Sequence, residues 1–106
     1  MLIPFLFQSA VVDIQGLHAY FEERQSAPLA ERFVSAVFAA MGYVAEFPEM
    51  GAIHQTRNKQ LVDVRYWTIR EFPNYVIYYR TDGKRLMVMR VVHGARKVNK
   101  LLRDLN

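Results

Sequence analysis

The 106-residue sequence contains no cysteine, only four prolines and five glycines, and a single tryptophan. Without cysteine there can be no disulfide and no thiolate metal site, which suits a reducing cytoplasm, and we expect the protein there. No apolar run approaches the ~20 residues that a membrane-spanning helix needs, so no membrane association is expected. The apolar segment Met1–Gln8 is short, lacks basic residues and is not interpreted as a signal peptide.

Metal ligands and cofactor-binding loops are also missing. His18 and His54 lie far apart without the spacing of a metal site, and both are expected at the surface. No glycine-rich loop is available to hold a phosphate. Ser9 and Ser35 have no evident acid and base partners for a hydrolytic triad. The sequence therefore predicts neither a metal nor a cofactor.

Basic residues are scarce in the first half of the chain and abundant in the second. Residues 1–50 carry two basic and six acidic side chains, a net charge of −4, whereas residues 51–106 carry twelve basic and four acidic ones, a net charge of +8. A half this basic favours an acidic partner, either nucleic acid or an acidic protein segment. A solvated basic surface without an anionic partner is the alternative.

The first half of the sequence predicts a strand and two helices. Leu2–Phe7 is predicted to be a short strand, and Pro4 favours an edge position for it. A helix follows, with Ser9 as its predicted N-cap. A second helix is predicted from about Pro28 to Glu46, with Ser26 as its cap and proline in its first turn. Because the break between the helices is short, they are expected to form an antiparallel hairpin.

The second half is rich in β-branched and aromatic residues. The polar segment Ala52–Gln60 is expected to be the least ordered. Turns at Pro73–Asn74 and Thr81–Lys84 then separate three strands of an antiparallel meander. The predicted strands are Leu61–Phe72, Tyr75–Thr81 and Leu86–His93, and a short helix, Ala95–Asn106, follows them.

Together these elements predict one α+β domain over residues 1–106. An N-terminal strand and a two-helix hairpin are expected to pack on a twisted antiparallel sheet in the order β-αα-βββ, with a short C-terminal helix.

Three segments resemble motifs of one bacterial protein family. Phe47–Gly51 reads Phe-Pro-Glu-Met-Gly and follows two helices; Arg65–Arg80 is an arginine-led strand turning into a Tyr- and Ile-rich strand; Arg90–Arg96 is a strand and the turn after it. They are similar to the Pro-x-x-Gly turn, the central hairpin and the penultimate strand of the RelE/ParE toxins. Their order and spacing agree over nearly the whole chain, so the sequence resembles this toxin family.

The resemblance implies a toxin encoded beside an antitoxin whose disordered segment folds over it. It also implies one of two modes of poisoning. RelE-like toxins enter the ribosomal decoding site and cleave messenger RNA, whereas ParE-like toxins inhibit DNA gyrase and leave broken DNA. Since a shared fold does not choose between these activities, the site residues must.

Cleavage of RNA needs a base for the 2′-hydroxyl, an acid for the leaving 5′-oxygen and cations around the phosphate. By resemblance, Arg96 matches the arginine that follows the last strand in the cleaving toxins. Their arginine on the Tyr-rich strand falls at Val76, and their C-terminal tyrosine falls near Leu102. Their paired strand lysines fall near Thr68 and Ile69, or near Val64 and Tyr66. The chain keeps one cation of this set, which favours the ParE side and binding without turnover.

Three further residues are catalytic candidates beside Arg96. Arg65 and Arg70 are five residues apart on one predicted strand, so their side chains should point to opposite faces. Either could instead form an ion pair at the rim, with Glu71 or Asp63 as partner.

His93 is the remaining candidate, as a general base. A hydrogen-bonded histidine at the strand end, where the chain turns through Gly94, is the alternative. Similarly, Tyr75, Tyr78 and Tyr79 could stack on nucleic-acid bases, or they could pack in the core and across strands.

The final helix supplies most of the predicted partner-binding residues. Its apolar stripe and the neighbouring cations could both be covered by an acidic antitoxin segment that folds on binding. Arg90 is a further partner candidate, with a structural arginine held by a carboxylate or by backbone carbonyls as the alternative. The stripe is Val98, Leu101, Leu102 and Leu105, and the cations are Lys97, Lys100 and Arg103. The stripe could instead complete the protein's own core.

The sequence thus predicts a ParE-like toxin that poisons DNA gyrase and is neutralised by a cognate acidic antitoxin. The first alternative is a RelE-like endonuclease that cleaves messenger RNA on the ribosome. The second is a non-toxic orphan that only binds an antitoxin. Whether the protein forms a dimer or a hetero-oligomer with the antitoxin is left open.

Overall fold

Two long helices lie on one face of a five-stranded sheet. The computed structural model describes residues 1–103. Its elements are β1 (Ile3–Leu6), α1 (Gln8–Arg24), α2 (Ala27–Glu46), β2 (Ala52–Ile53), β3 (Arg65–Ile69), β4 (Phe72–Thr81), β5 (Arg85–His93) and α3 (Val98–Arg103). The predicted α+β class is confirmed. None of the described helices combines the length and the apolar character needed to span a bilayer.

The strands are arranged in the order β1-β5-β4-β3-β2. Neighbours are antiparallel from β2 to β5, as the predicted meander requires, whereas β1 runs parallel to β5. β1 is an edge strand, which is where a sheet tolerates Pro4. The opposite edge, β2, is only two residues long, Ala52–Ile53, and such a pair is too short to show a strand periodicity in the sequence.

The helical hairpin buries the larger of two apolar cores against the sheet. Along α2, Phe33, Val37 and Val44 are fully buried at helical spacing. The predicted start of α2 is confirmed, because the Ser26 hydroxyl accepts a hydrogen bond from the backbone N–H of Leu29 at 3.2 Å. Small residues at the crossing, Ala10, Ala30, Ala40 and Ala45, let the helices and the sheet approach closely.

The start of α1 covers the part of β5 that β1 leaves unpaired. The backbone N–H of Phe7 donates to the carbonyl of Val88 at 2.9 Å, and the Ser9 hydroxyl donates to the carbonyl of Met89 at 2.6 Å. The predicted N-cap role of Ser9 is therefore wrong: α1 begins at Gln8, and Phe7 occupies the cap position without a side-chain bond. The hydroxyl instead satisfies a carbonyl of the open sheet edge.

The turn between β3 and β4 lies at Arg70–Glu71, so the turn predicted at Pro73–Asn74 is wrong. Phe72 already belongs to β4, and its ring packs against that of Phe33 with centroids 5.1 Å apart. The packing of this partly buried ring fixes where β4 begins. A register shift in the β3–β4 pairing accommodates the proline that follows. The second predicted turn is confirmed at Asp82–Gly83, where Gly83 has φ 92°.

A smaller core lies on the opposite face of the sheet, beneath the 54–64 segment and α3. Leu61 and Val64, which the sequence assigns to the start of a strand, precede β3 instead and are almost fully buried. The expectation of a surface position for His54 is wrong, because the residue is 8% exposed. Its ring packs edge-on against Tyr78 at 5.6 Å. The buried residues of this core are Leu61, Val64, Val76, Tyr78, Met89, Val92, Val98 and Leu102.

Helix α3 begins at Val98, three residues later than predicted, and its predicted end at 104–106 lies outside the described residues. Before it, Gly94–Lys97 form a turn. The N–H of Gly94 donates to the carbonyl of Asn74 at 2.7 Å, and the N–H of Arg96 donates to that of His93 at 3.1 Å. This turn directs the chain from the end of β5 across the second face of the sheet.

Candidate functional site

His93 and Arg96 line a shallow hollow of about 300 Å³ between α1 and the end of β5. The Nδ1 atom of His93 accepts a hydrogen bond from the N–H of Ala95 at 3.1 Å, as expected for a histidine held at the strand end. Its ring lies edge-on to Tyr75, with centroids 5.2 Å apart. Burial, and then the neighbouring Tyr20, raises the pKa of Tyr75, so this hydroxyl stays protonated at neutral pH. It is therefore unsuited to act as a base.

Arg65 lies elsewhere and closes the turn after α2 together with Tyr79. The guanidinium of Arg65 donates to the carbonyls of Glu49 at 3.2 Å and Gly51 at 2.8 Å. The Tyr79 hydroxyl donates to the carbonyl of Pro48 at 2.7 Å and accepts from the N–H of Gly51 at 3.0 Å. A Cβ atom at Gly51 would overlap the Tyr79 side chain, which requires glycine there. Arg65 and Tyr79 thus hold the Pro-x-x-Gly turn on the sheet.

The carboxylates expected to pair with the candidate arginines bind other arginines. Asp63 accepts two hydrogen bonds from Arg80, at 2.6 and 3.0 Å. Glu71 accepts one from Arg32 at 3.4 Å. The predicted ion pair of Arg65 with Asp63 or Glu71 is therefore wrong, because the carbonyls of the turn already occupy its guanidinium.

Arg70 lies in the β3–β4 turn and not on the strand, so the strand-alternation argument does not apply to it. It borders an open groove of about 580 Å³ between α2 and β3. Tyr43 and Trp67, whose rings stack with centroids 5.0 Å apart, form part of the same groove. This groove is mostly apolar and shares no lining residue with the hollow that contains His93 and Arg96.

The four catalytic candidates therefore occupy three separate places. Only His93 and Arg96 are brought together, while Arg65 closes a turn and Arg70 lies at the tip of a hairpin. An acid and a base must both reach the reacting atoms within hydrogen-bond distance, directly or through one water. The four candidates do not form such a constellation.

Arg90 is engaged inside the chain by Asp13 of α1. Its Nε and Nη2 atoms donate to the two carboxylate oxygens, each at 2.7 Å. One of these oxygens also accepts from the N–H of Val91 at 2.9 Å. The side chains of Arg90 and Asp13 are only 15% and 11% exposed. The alternative of a structural arginine held by a carboxylate is therefore what the structure shows, and a role in partner binding stays a prediction.

The candidates on α3 divide between the interior and the surface. Val98 and Leu102 are buried in the second core, and Leu101 packs half-buried against it. The described part of the stripe thus completes the protein's own core, and Val98 and Leu102 could meet a partner only if α3 left the sheet. Leu105 lies outside the described residues. Lys97, Lys100 and Arg103 are exposed.

These three cations face a fourth, Arg57, across an open groove of about 990 Å³. We call it the basic groove; its lining residues are Gln55, Thr56, Arg57, Asn58, Lys97, Val98, Asn99, Lys100 and Arg103. None of these lining residues, all within the described range 1–103, carries a carboxylate. The Nε2 atom of His54 lies 2.6 Å from Oδ1 of Asn99 and so ties α3 to the loop on the other side.

Sequence reasoning missed Asp13 and Arg57, and it considered Tyr79 for packing without its hydrogen bonds to the turn. Tyr79 and Asp13 act on partners 28 to 78 residues away, and no local pattern indicates such contacts. Arg57 lies in a polar segment without periodicity. Its one signal was the excess of positive charge in the second half of the chain.

Comparison with known proteins shows which of them share this architecture. A solved structure, "Chromosomal ParDE TA system from P. aeruginosa", shares the fold, with a TM-score of 0.72 at 15% sequence identity over 88% of this chain and 96% of that chain. No curated protein matches. Residues 6–98 match the family described as "ParE toxin of type II toxin-antitoxin system, parDE". Because this match spans most of the sequence, the chain belongs to the ParE toxin family of type II toxin–antitoxin systems.

Proposed function

We propose that this ParE-family toxin poisons DNA gyrase by binding to the gyrase–DNA complex, and that a cognate acidic antitoxin holds it inactive. The observation that carries the proposal is the separation of the catalytic candidates. A ribonuclease would need an acid, a base and phosphate-binding cations in one place, and only His93 and Arg96 meet.

A poison that acts by binding has different requirements. It needs a rigid surface whose charge complements the target, and it needs no catalytic group. The +8 charge of residues 51–106 and the cluster of exposed cations beside α3 supply such a surface for a partner that contains DNA. An interaction of this kind is steered by long-range attraction and is weakened by salt.

The antitoxin part of the proposal is supported by family membership and by the likeness to a chain from a chromosomal ParDE system. The basic surface suits an acidic tail. An antitoxin that lies over the basic half of the toxin would block the contact with gyrase and DNA, and this would explain neutralisation without a separate mechanism.

The test compares the two poisons in purified systems. We expect the wild-type protein to inhibit supercoiling of relaxed plasmid by gyrase and to leave cleaved DNA, while messenger RNA in a translating extract stays intact. Site-specific cuts in messenger RNA with unimpaired supercoiling would contradict the proposal and favour the ribonuclease. No effect in either assay would favour a non-toxic antitoxin-binding protein.

An internal control uses the candidate pair itself. The double variant His93→Ala/Arg96→Ala should leave the messenger RNA pattern unchanged, since no cleavage is expected from either protein. A candidate antitoxin, meaning an acidic protein encoded by a reading frame beside the toxin gene, should restore supercoiling by gyrase when it is added to the wild-type toxin. Supercoiling that stays inhibited in the presence of a bound antitoxin would contradict the proposed mode of neutralisation.

A further inference from the structure

We infer that the basic groove binds the phosphodiester backbone of DNA, so that the toxin contacts the DNA of the gyrase complex directly. The inference rests on the proposed function and names the ligand of this surface. The first observation that supports it is the positive charge of the groove. Arg57, Lys97, Lys100 and Arg103 are all exposed, and among residues 1–103 none of them forms an ion pair.

Four other arginines of the protein are neutralised locally. Arg32, Arg80, Arg85 and Arg90 each pair with a carboxylate of residues 1–103. In the basic groove, by contrast, four cations share one depression whose described lining includes no acid. Like charges held together repel one another, and an anion placed between them relieves that repulsion. The groove therefore favours a ligand that carries several negative charges at short spacing.

The fold keeps these cations in place. Lys97, Lys100 and Arg103 recur at intervals of three residues, which places them along one side of α3 and of the turn before it. Val98 and Leu102, on the other side, are buried in the second core. The helix is thus anchored by its apolar side and presents its basic side. Since the backbone that carries these cations is already ordered, only their side chains have to be ordered when a ligand binds, and less of the binding free energy is lost.

The rest of the lining favours a phosphate backbone over an acidic peptide. Besides the cations it offers a hydroxyl and amides, which are common donors to phosphate oxygens: Thr56, Gln55, Asn58 and Asn99. The one apolar residue in the described part of the lining, Val98, is buried. A peptide that folds on binding needs apolar pockets for alternate side chains or for one face of a helix, and the described lining of the groove provides none.

The groove also indicates how DNA would be bound. Among residues 1–103 no aromatic ring lines it, so this part of the chain offers no platform there on which an unpaired base could stack. Cations and amides recognise phosphate without reading the base sequence. We therefore expect binding that is independent of sequence and strongly dependent on salt.

The experiment measures binding of the intact toxin to a short fluorescent DNA duplex by anisotropy, over a range of salt concentrations. The variant Arg57→Gln/Lys100→Gln/Arg103→Gln removes three cations of the groove. The control Arg24→Gln/Arg32→Gln/Lys84→Gln removes three exposed cations elsewhere and has the same net charge. For wild type we expect the logarithm of the association constant to fall linearly with the logarithm of salt concentration. For the groove variant the slope should be smaller by roughly 3, and low-salt affinity should fall by about tenfold or more.

Equal losses in the two variants would show that only net charge matters and would overturn the inference. It would also be overturned if the wild type did not bind the duplex, or if the groove variant kept duplex binding and lost binding of an acidic antitoxin peptide. That last result would assign the groove to the antitoxin. Circular dichroism of both variants would verify that they are folded.

The same proteins separate this inference from the proposed function. If wild type inhibits supercoiling and the groove variant inhibits it equally, the toxin poisons gyrase without the groove, and only the inference fails. If wild type binds DNA through the groove but leaves supercoiling unaffected, the proposed function fails while the groove remains a DNA site.

Discussion

At the scale of single residues, two side chains from the sheet hold the turn that follows α2. The Tyr79 hydroxyl is buried and forms two hydrogen bonds to the turn, one as donor and one as acceptor. Arg65 adds two more to its carbonyls. Because Gly51 lies against the tyrosine, the turn, the glycine and the ring form one unit. This explains why an arginine that resembles a catalytic candidate in the sequence serves the architecture.

Tyr79→Phe tests that unit. The ring stays, but the N–H of Gly51 and the carbonyl of Pro48 lose a partner, and an unsatisfied buried polar group costs about 1–3 kcal/mol. The free energy of unfolding should fall by that amount, and the melting temperature should fall by roughly 4–8 °C per kcal/mol for a domain of about this size. Calorimetry measures both. Tyr20→Phe removes the hydroxyl of a ring that is 46% exposed and is the control. Equal melting temperatures for the two variants would contradict the role assigned to Tyr79.

At the scale of elements, α1 hydrogen-bonds the part of the β5 edge that a longer β1 would otherwise pair with. After β1 ends, groups on α1 and just before it satisfy successive backbone groups of β5, first through Phe7 and Ser9 and then through Asp13. A strand edge left open is a site of unwanted pairing with other chains. The helix thereby protects the edge, and the Asp13–Arg90 pair fixes the helix on it.

Asp13→Asn isolates the charge of this contact, since asparagine has nearly the same shape and can still accept from the N–H of Val91. Arg90 would then be a largely buried cation without a counter-charge, and breaking a buried ion pair in this way costs about 3–5 kcal/mol. Asp63→Asn at the Arg80 pair is the matched control, because the Asp63 side chain is 53% exposed and exposed pairs contribute under about 1 kcal/mol. Urea denaturation gives both values. A loss at Asp13 no larger than that at Asp63 would show that α1 is held by apolar packing alone.

At the scale of the whole molecule, both cores contain tyrosines whose ionisation opposes folding. Burial raises the pKa of Tyr75, Tyr78 and Tyr79, with smaller contributions from the neighbouring Tyr20 and Tyr66; at Tyr79 the N–H of Gly51 and the charge of Arg65 oppose the rise. In the unfolded chain these hydroxyls lose their protons near the ordinary pKa of about 10. The folded chain loses them only at higher pH.

Stability should therefore be unaffected by these groups below pH about 10 and should fall as the pH rises above it, because the unfolded chain then binds fewer protons than the folded one. Urea denaturation across the alkaline range measures the free energy of unfolding, and phenolate absorbance follows the ionisation. The Tyr79→Phe variant should lose less stability between neutral and alkaline pH than wild type does. A stability that is constant or rises through this range would contradict the prediction.

Local signals in the sequence were enough to establish the family and the order of the elements other than β2. Hydrophobic periodicity, the Ser26 cap and the Asp82–Gly83 turn each depend on residues a few positions apart. The structure confirms them for this reason. Family resemblance extended the same information, since the three motifs occur in the order that the fold requires.

Which side chains meet was settled by the packing of elements that are distant in the chain. Pro73–Asn74 has the composition of a turn, yet the turn lies at Arg70–Glu71 because the Phe72 ring packs against Phe33 as part of β4. His54 became buried because Tyr78 and Asn99 lie where its ring points.

The arginines differ from one another for the same reason. Arg90 is bound by a carboxylate 77 residues away, and Arg57 joins the cations of α3 across a groove that neither segment forms alone. The residues next to an arginine in the sequence do not show whether it is structural or available to a ligand. That depends on which groups the packed elements bring within a few ångströms of its guanidinium.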